Sequence, residues 1–88
     1  MKRLRTKQFV SGVAKAHGKV LASLRSGVAS QKDFAKDIDV DRTFISQMER
    51  GIRQPTLTTV FKLAHGLSMT PSQLVRLVEN ELEAQGKL

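Results

Sequence analysis

The residues of this sequence best suited to chemistry lie in one short segment, between Asp41 and Gly51. Apolar residues recur there every three or four positions, as they do along one side of a helix. The opposite side carries side chains that donate hydrogen bonds: Arg42, Thr43, Ser46, Gln47 and Arg50. Guanidinium, amide and hydroxyl groups bond well to base edges and phosphates. The segment therefore indicates a nucleic-acid surface, and the alternative is an ordinary solvated helix face.

The groups that an enzyme site needs are missing. His17 and His65 are the two histidines, and no pattern pairs either of them with a nucleophile or with metal ligands. Cysteine is absent, which excludes a thiolate metal site and a disulfide framework. The four aspartates between positions 33 and 41 do not have the spacing of a metal-binding loop. We therefore predict no catalytic site, no metal and no cofactor.

The positive charge is concentrated near the N-terminus. The 88 residues carry a net charge of +7, and residues 1–25 contain seven bases and no acid. Such a block favours a polyanionic partner, nucleic acid before an anionic membrane. We predict a basic N-terminal arm over residues 1–10 that contacts phosphates through Lys2, Arg3 and Arg5. The alternative is a solvated tail that only aids solubility.

Hydropathy gives no sign of a membrane protein. No apolar run approaches the ~18 residues that a membrane span needs. The run "VSGVA" is too short for the core of a signal peptide. The N-terminal segment also lacks the apolar face, rich in Trp, Phe and Leu, of an interfacial anchor. We expect a soluble, cytoplasmic protein with no membrane partner.

The spacing of apolar residues predicts five helices and no strand, hence an all-α, compact five-helix domain over residues 11–88. The first helix is expected over residues 11–26, with an early part that frays at Gly18 because glycine disfavours helix. The residues expected to cap the other four helices are Ser30, Asp41, Thr56 and Thr70. The fourth helix is predicted to bury Leu57, Val60, Phe61, Ala64 and Leu67.

The second and third helices are separated by "DIDV", residues 37–40. Two short helices joined this closely need a tight corner. Asp39 can adopt the left-handed backbone conformation, although less easily than glycine. Ile38 and Val40 can hold the corner against the core. The polar interruption therefore predicts a turn.

The segment "SQKDFAKDIDVDRTFISQMERGIRQP" closely resembles the lambda-repressor-like helix-turn-helix family, the Xre/Cro group of bacterial and phage transcriptional regulators. The matching features are Gln31, Ala35, Ile45, the run "ISQMERG", Arg53 and Pro55. The resemblance extends over about residues 20–80. It departs from the family in having Asp39 where glycine is usual, and in a link between the first two helices that is one residue shorter than common.

This resemblance implies a sequence-specific DNA-binding transcriptional regulator. A repressor is favoured, because blocking a promoter requires no further machinery. Base edges in the major groove would be contacted by Arg42, Thr43 and Gln47, with Ser46 beside them. Phosphates would be contacted by Gln31, Arg50 and Arg53. The alternative is an antitoxin or phage-type regulator that also binds a protein partner.

We also predict a homodimer that binds a pseudo-palindromic operator, because one helix-turn-helix reads too few base pairs to discriminate. The fifth helix has an apolar face wider than one small core should need. The predicted interface residues are Leu74, Val75, Val78 and Leu82. The alternative is that these side chains all pack inside the monomer.

Overall fold

The computed structural model describes residues 5–87 and contains five helices within that range. These are α1 (Thr6–Ser26), α2 (Gln31–Asp37), α3 (Arg42–Glu49), α4 (Leu57–Gly66) and α5 (Pro71–Ala84). No strand occurs between residues 5 and 87, and the predicted all-α, five-helix fold is confirmed. None of the helices in this range is long and apolar enough to cross a membrane.

The four predicted helix caps are all confirmed. The side chain of Ser30 accepts a hydrogen bond from the backbone N–H of Asp33 at 3.1 Å. Asp41, Thr56 and Thr70 accept in the same way at the starts of α3, α4 and α5. Each bond satisfies one of the backbone donors that a helix start leaves unpaired. Local side-chain chemistry therefore determines where four of the five helices begin.

The core is formed where α1 packs against α3 and α5, α2 against α3, and α4 against α5. Its largest fully buried side chains are Leu21, Phe34, Ile45, Met48, Leu63 and Leu74. A second, smaller cluster of Ala16, Val78 and Leu82 joins α1 to α5. These contacts hold α3 on one side only, so its other side is free of the core.

The start of α1 differs from the prediction. The helix begins at Thr6 and not at residue 11, so residues 6–10 of the predicted arm are helical. Arg5 directly precedes it, and its backbone N–H donates to Gln8 Oε1 at 3.3 Å. These added residues are exposed, and the first buried position of α1 is Gly12, which lies against Leu82 and Lys87. Lys2 and Arg3 lie outside the described residues.

The predicted core of α4 is wrong at Phe61, whose side chain is 56% exposed. The inward stripe of α4 runs through Val60, Leu63, Ala64 and Leu67, with the i, i+3, i+4, i+7 spacing of a helix face. Phe61 falls one residue off this stripe. Leu57 is exposed as well, because it lies at the first position of the helix, beyond the part that the core covers.

Gly18 has a different role from the one predicted. α1 continues through it, and a Cβ placed there would lie 2.4 Å from the carbonyl oxygen of Met48 and 2.7 Å from that of Glu49. Both distances are too short for any side chain. The glycine therefore allows the backbone of α1 to touch the C-terminal end of α3, which sets how α3 is held.

Candidate nucleic-acid interface

The corner between α2 and α3 is built as predicted. Asp39 has a φ of 56°, in the left-handed region. Its carbonyl oxygen accepts a hydrogen bond from Lys62 Nζ at 3.2 Å, and Val40 N–H donates to Ala35 O at 2.9 Å. Ile38 is buried in the core. The corner is thus fixed on both sides, and α3 leaves it at a defined angle to α2.

The free side of α3 carries the four residues predicted to contact bases. Arg42 and Thr43 are exposed in its first turn, and Ser46 and Gln47 are half-buried further along. Within residues 5–87, none of these four side chains makes a hydrogen bond. Their donors and acceptors are therefore available to an external partner.

Charge on α3 is divided between its two sides. Arg42 and Arg50 are exposed, and Arg53 is exposed in the turn that follows. Glu49 is the acid within α3, and it faces Arg25 of α1, with Arg25 Nε 2.8 Å from Glu49 Oε2. The outward side of α3 is therefore positive, which suits a polyanion.

Glu49 is the centre of a hydrogen-bond network that joins three helices. Arg25 donates to both of its carboxylate oxygens, at 2.8 and 2.9 Å, and Gln31 Nε2 donates to Oε1 at 2.9 Å. A further N–H of Arg25 donates to the carbonyl of Ala29 at 3.1 Å. The ends of α1 and α3 and the start of α2 are thus held together. This two-fold guanidinium–carboxylate contact is the strongest geometry for such a pair.

The network shifts the ionisation of both charged partners. Burial by itself raises the pKa of Glu49, but hydrogen bonds from Arg25 and Gln31 and the charge of Arg25 outweigh it, so the net pKa of Glu49 is lowered. The hydrogen bond to Glu49 raises the pKa of Arg25. The pair is therefore ionised at neutral pH. Gln31, predicted to bind a phosphate, has one N–H engaged by Glu49 and one N–H left to donate.

The turn after α3 is anchored to the helix. Gly51 has a φ of 73°, which reverses the chain, and the backbone N–H groups of Ile52 and Arg53 both donate to Gln47 O, at 2.9 and 3.3 Å. The guanidinium carbon of Arg53 lies 5.4 Å from the centroid of the Phe44 ring. Phe44 is half-buried and also packs against the core. The apolar spacing of Phe44, Ile45 and Met48 predicts a core position for Phe44 and gives no sign of this contact.

Comparison with known proteins agrees with this geometry. A family model described as "Helix-turn-helix" (HTH_3) matches residues 30–77, which contain α2, the corner, α3, α4 and the first half of α5. The chain belongs to the helix-turn-helix family. The predicted membership in the lambda-repressor-like group of DNA-binding transcriptional regulators is confirmed, as is the prediction that the protein is not an enzyme.

Individual relatives of this helix-turn-helix protein are similar to it over most of its length. The "Control protein C.MunI" of Mycoplasma sp is 42% identical over 52 residues, which are 59% of this chain and 70% of that protein. The restriction-modification controller protein C.AhdI of Aeromonas hydrophila superposes with a TM-score of 0.66 at 32% identity, over 69% of this chain and 94% of that one. The clp gene regulator ClgR of Corynebacterium glutamicum shares the fold, with a TM-score of 0.77 at 19% identity over 84% and 80% of the two chains.

The predicted dimer interface of this helix-turn-helix protein needs correction. Leu74, Val78 and Leu82 are buried inside the monomer, so they have no surface to offer to a second copy. The reason is packing within the monomer: Ala16 of α1 lies against Val78 and Leu82, Gly12 lies against Leu82, and Leu74 belongs to the main core. The wide apolar face of α5 is therefore explained by contacts inside one copy of the protein. Val75 remains exposed.

Proposed function

We propose that the protein is a controller-type transcriptional regulator that inserts α3 into the major groove of a pseudo-palindromic operator and represses the promoter there. The observation that carries the proposal is the free, positive side of α3, whose polar side chains make no hydrogen bond within residues 5–87. The similarity to C.AhdI, a restriction-modification controller protein, supports a role in controlling restriction-modification genes. Selection of bound sites from random DNA, followed by footprinting, tests it.

The dimensions of α3 suit the groove. Its eight residues are about 12 Å long, and its N-terminal turn carries the most exposed base-reading candidates. Arg42 is suited to bond bidentately to guanine, and Gln47 to adenine. Thr43 offers a hydroxyl, or a methyl contact to thymine. Ser46 lies one turn after Arg42 and would adjoin the same bases.

Phosphate contacts would fix how α3 enters the groove. Arg50 and Arg53 follow α3 on its exposed side, and Gln31 at the start of α2 has its second N–H free for the same purpose. Arg5 and the preceding basic residues would add affinity that does not depend on sequence. These contacts orient the protein, while the side chains of α3 read the bases.

Changing Gln47 to alanine tests base reading. We expect a loss of about 1–3 kcal/mol on the preferred site and relaxed preference at one base position. Arg53→Ala is the matched control, because a lost phosphate contact weakens specific and random DNA alike and reduces the dependence of binding on salt. Binding measured on the selected site and on single-base variants decides between them. An unchanged site preference in Gln47→Ala would show that Gln47 does not read a base.

A dimer is part of the proposal, because one helix-turn-helix cannot discriminate among the ~10⁶ or more competing sites of a genome. Two copies related by a two-fold axis would place their recognition helices about 34 Å apart. The apolar side chains that remain exposed on α4 and α5 are Leu57, Phe61 and Val75. Leu57 and Phe61 lie four residues apart, on one face of α4. We place the contact between copies on these residues.

Two valines of α5 give a matched test of the dimer. Val75 is 53% exposed and Val78 is 9% exposed. Val75→Asp should give a helical monomer that binds a full operator poorly, whereas Val78→Asp should unfold, because a buried unpaired charge is strongly disfavoured. Light scattering and circular dichroism measure the two outcomes. A Val75→Asp variant that stays dimeric would move the interface elsewhere, and a wild type that is monomeric both free and on DNA would contradict the dimer.

A further inference from the structure

The contact between Phe44 and Arg53 lies next to the residues proposed to read bases. Phe44 is in the first half of α3, and Arg53 is in the turn after it. The guanidinium carbon lies over the ring, 5.4 Å from its centroid. The backbone N–H of Arg53 is bonded to Gln47 O of the same helix at 3.3 Å. Arg53 is therefore attached to α3 at both its backbone and its side chain.

Stacking on an aromatic ring restricts the conformations of an exposed arginine side chain. A free arginine side chain occupies many rotamers, and it must give them up when it binds a phosphate. A ring beneath the guanidinium attracts the cation through the ring's negative face. The five N–H donors lie in the guanidinium plane, and a ring that covers one face of that plane leaves them available. Arg53 is thus held in place without its donors being used.

We propose that Phe44 is a positioning residue that holds Arg53 ready for a DNA phosphate at the edge of the groove that α3 enters. The inference rests on the proposed DNA-binding function and deepens it. Since Arg53 and Gln47 share a backbone hydrogen bond, a phosphate held by Arg53 also fixes the position of α3 along the groove. Phe44 has two roles, because it also packs against the core.

Phe44→Leu removes the aromatic face and keeps an apolar side chain, and Phe44→Tyr keeps the face. We expect Phe44→Leu to weaken binding to the operator and to random DNA by the same factor, about two- to fivefold per protomer. Phe44→Tyr should bind as the wild type does. In an Arg53→Ala background, Phe44→Leu should cause no further loss, since nothing is left to position. Titrations of all five proteins at several salt concentrations measure these effects.

An additive loss in the double variant would overturn the proposal, because the ring would then act through packing alone. Equal affinity of Phe44→Leu and wild type would overturn it as well, and so would an Arg53→Ala variant that binds like the wild type. If Phe44→Leu does not fold, Phe44→Met repeats the test with a second apolar side chain. Circular dichroism measures whether each variant is folded. If Phe44→Tyr bound DNA as weakly as Phe44→Leu does, a role for the aromatic face would be contradicted as well.

A measurement without DNA separates this proposal from the proposed function. The ring current of Phe44 should shift the Arg53 side-chain protons upfield in the NMR spectrum of the free protein. The shift should persist in Phe44→Tyr and disappear in Phe44→Leu. If the shift is present but no DNA sequence is selected, the proposed function fails while the contact stands. If DNA binds well but the shift is missing, positioning by Phe44 fails and the proposed function stands.

Discussion

Glu49→Ala is expected to lower the free energy of unfolding by about 3–5 kcal/mol. The change leaves Arg25 without its partner at a site where the side chains of Arg25 and Glu49 are only 15% and 7% exposed. It also removes the acceptor of Gln31, so the joint between α1, α2 and α3 is lost. Small domains have a total stability of about 5–15 kcal/mol. A wild-type stability near the low end of this range would therefore be largely lost in the variant.

Glu79→Ala is the matched control for this prediction. Glu79 also pairs with an arginine, Arg76 at 3.5 Å, but the side chains of Arg76 and Glu79 are 73% and 48% exposed. Exposed pairs of this kind contribute about 0–1 kcal/mol, so the control should unfold almost as the wild type does. Urea unfolding followed by circular dichroism compares the two variants. A loss below about 1 kcal/mol in Glu49→Ala would show that the network does not hold the helices together.

The same carboxylate predicts a dependence on pH. Because the pKa of Glu49 is lower in the folded protein than its ordinary value, the unfolded chain takes up the proton first as the pH falls. The stabilisation is therefore complete above the ordinary pKa of glutamate and is lost as the pH falls through the lowered folded value. The stability difference between wild type and Glu49→Ala should shrink in acid and be largest near neutral pH.

Gly18→Ala is expected to destabilise the protein by about 1–3 kcal/mol, the usual cost of overpacking. Helix propensity alone predicts the opposite sign, because alanine in a helix is more favourable than glycine by about 1 kcal/mol. The structure decides against propensity, since the new Cβ would lie 2.4 and 2.7 Å from two backbone carbonyl oxygens of α3. Backbone atoms cannot relieve the clash by changing rotamer, so α1 and α3 must move apart.

Gly27→Ala is the control, because a Cβ there meets only Leu24 O, at an ordinary 3.7 Å. It lies at the end of α1 with a φ of −82°, which any residue adopts. Thermal unfolding of both variants gives the comparison, and DNA titration should show weaker binding for Gly18→Ala, since α3 is displaced. Stabilisation by Gly18→Ala would contradict the close approach of α1 to α3.

The parts of the fold that could be predicted depend on neighbours in the chain. The caps at Ser30 and Thr70 join residues three apart, and the corner at Asp39 closes through a bond between residues five apart, Ala35 and Val40, so the residue types were sufficient evidence. The failures involve distant partners. The contact of Gly18 with the end of α3 joins residues 30 or more positions apart, and the exposure of Phe61 depends on which stripe of α4 the core covers.

In the candidate site, too, features that depend on neighbours in the chain could be predicted, and features that depend on distant partners could not. The outward side of α3 could be predicted from its spacing, because a helix face follows from the 3.6-residue period. The engagement of Gln31 by Glu49 and the contact of Arg53 with Phe44 could not, since each joins residues nine or more positions apart whose side chains meet only after folding. The predicted dimer interface failed for this reason too: Leu74 lies in the main core, and Val78 and Leu82 pack against Ala16 of α1.

The side chains of Arg42, Thr43, Ser46 and Gln47 make no hydrogen bond within residues 5–87, while the joint at Glu49 and the contact at Gly18 hold α3 as a whole. On the proposed function, preference for a DNA sequence and the stability of the fold would be encoded by separate residues. Substitutions on the free side would then accumulate with little loss of structure, so gene duplication followed by a few changes there would give a second regulator that recognises a different DNA sequence.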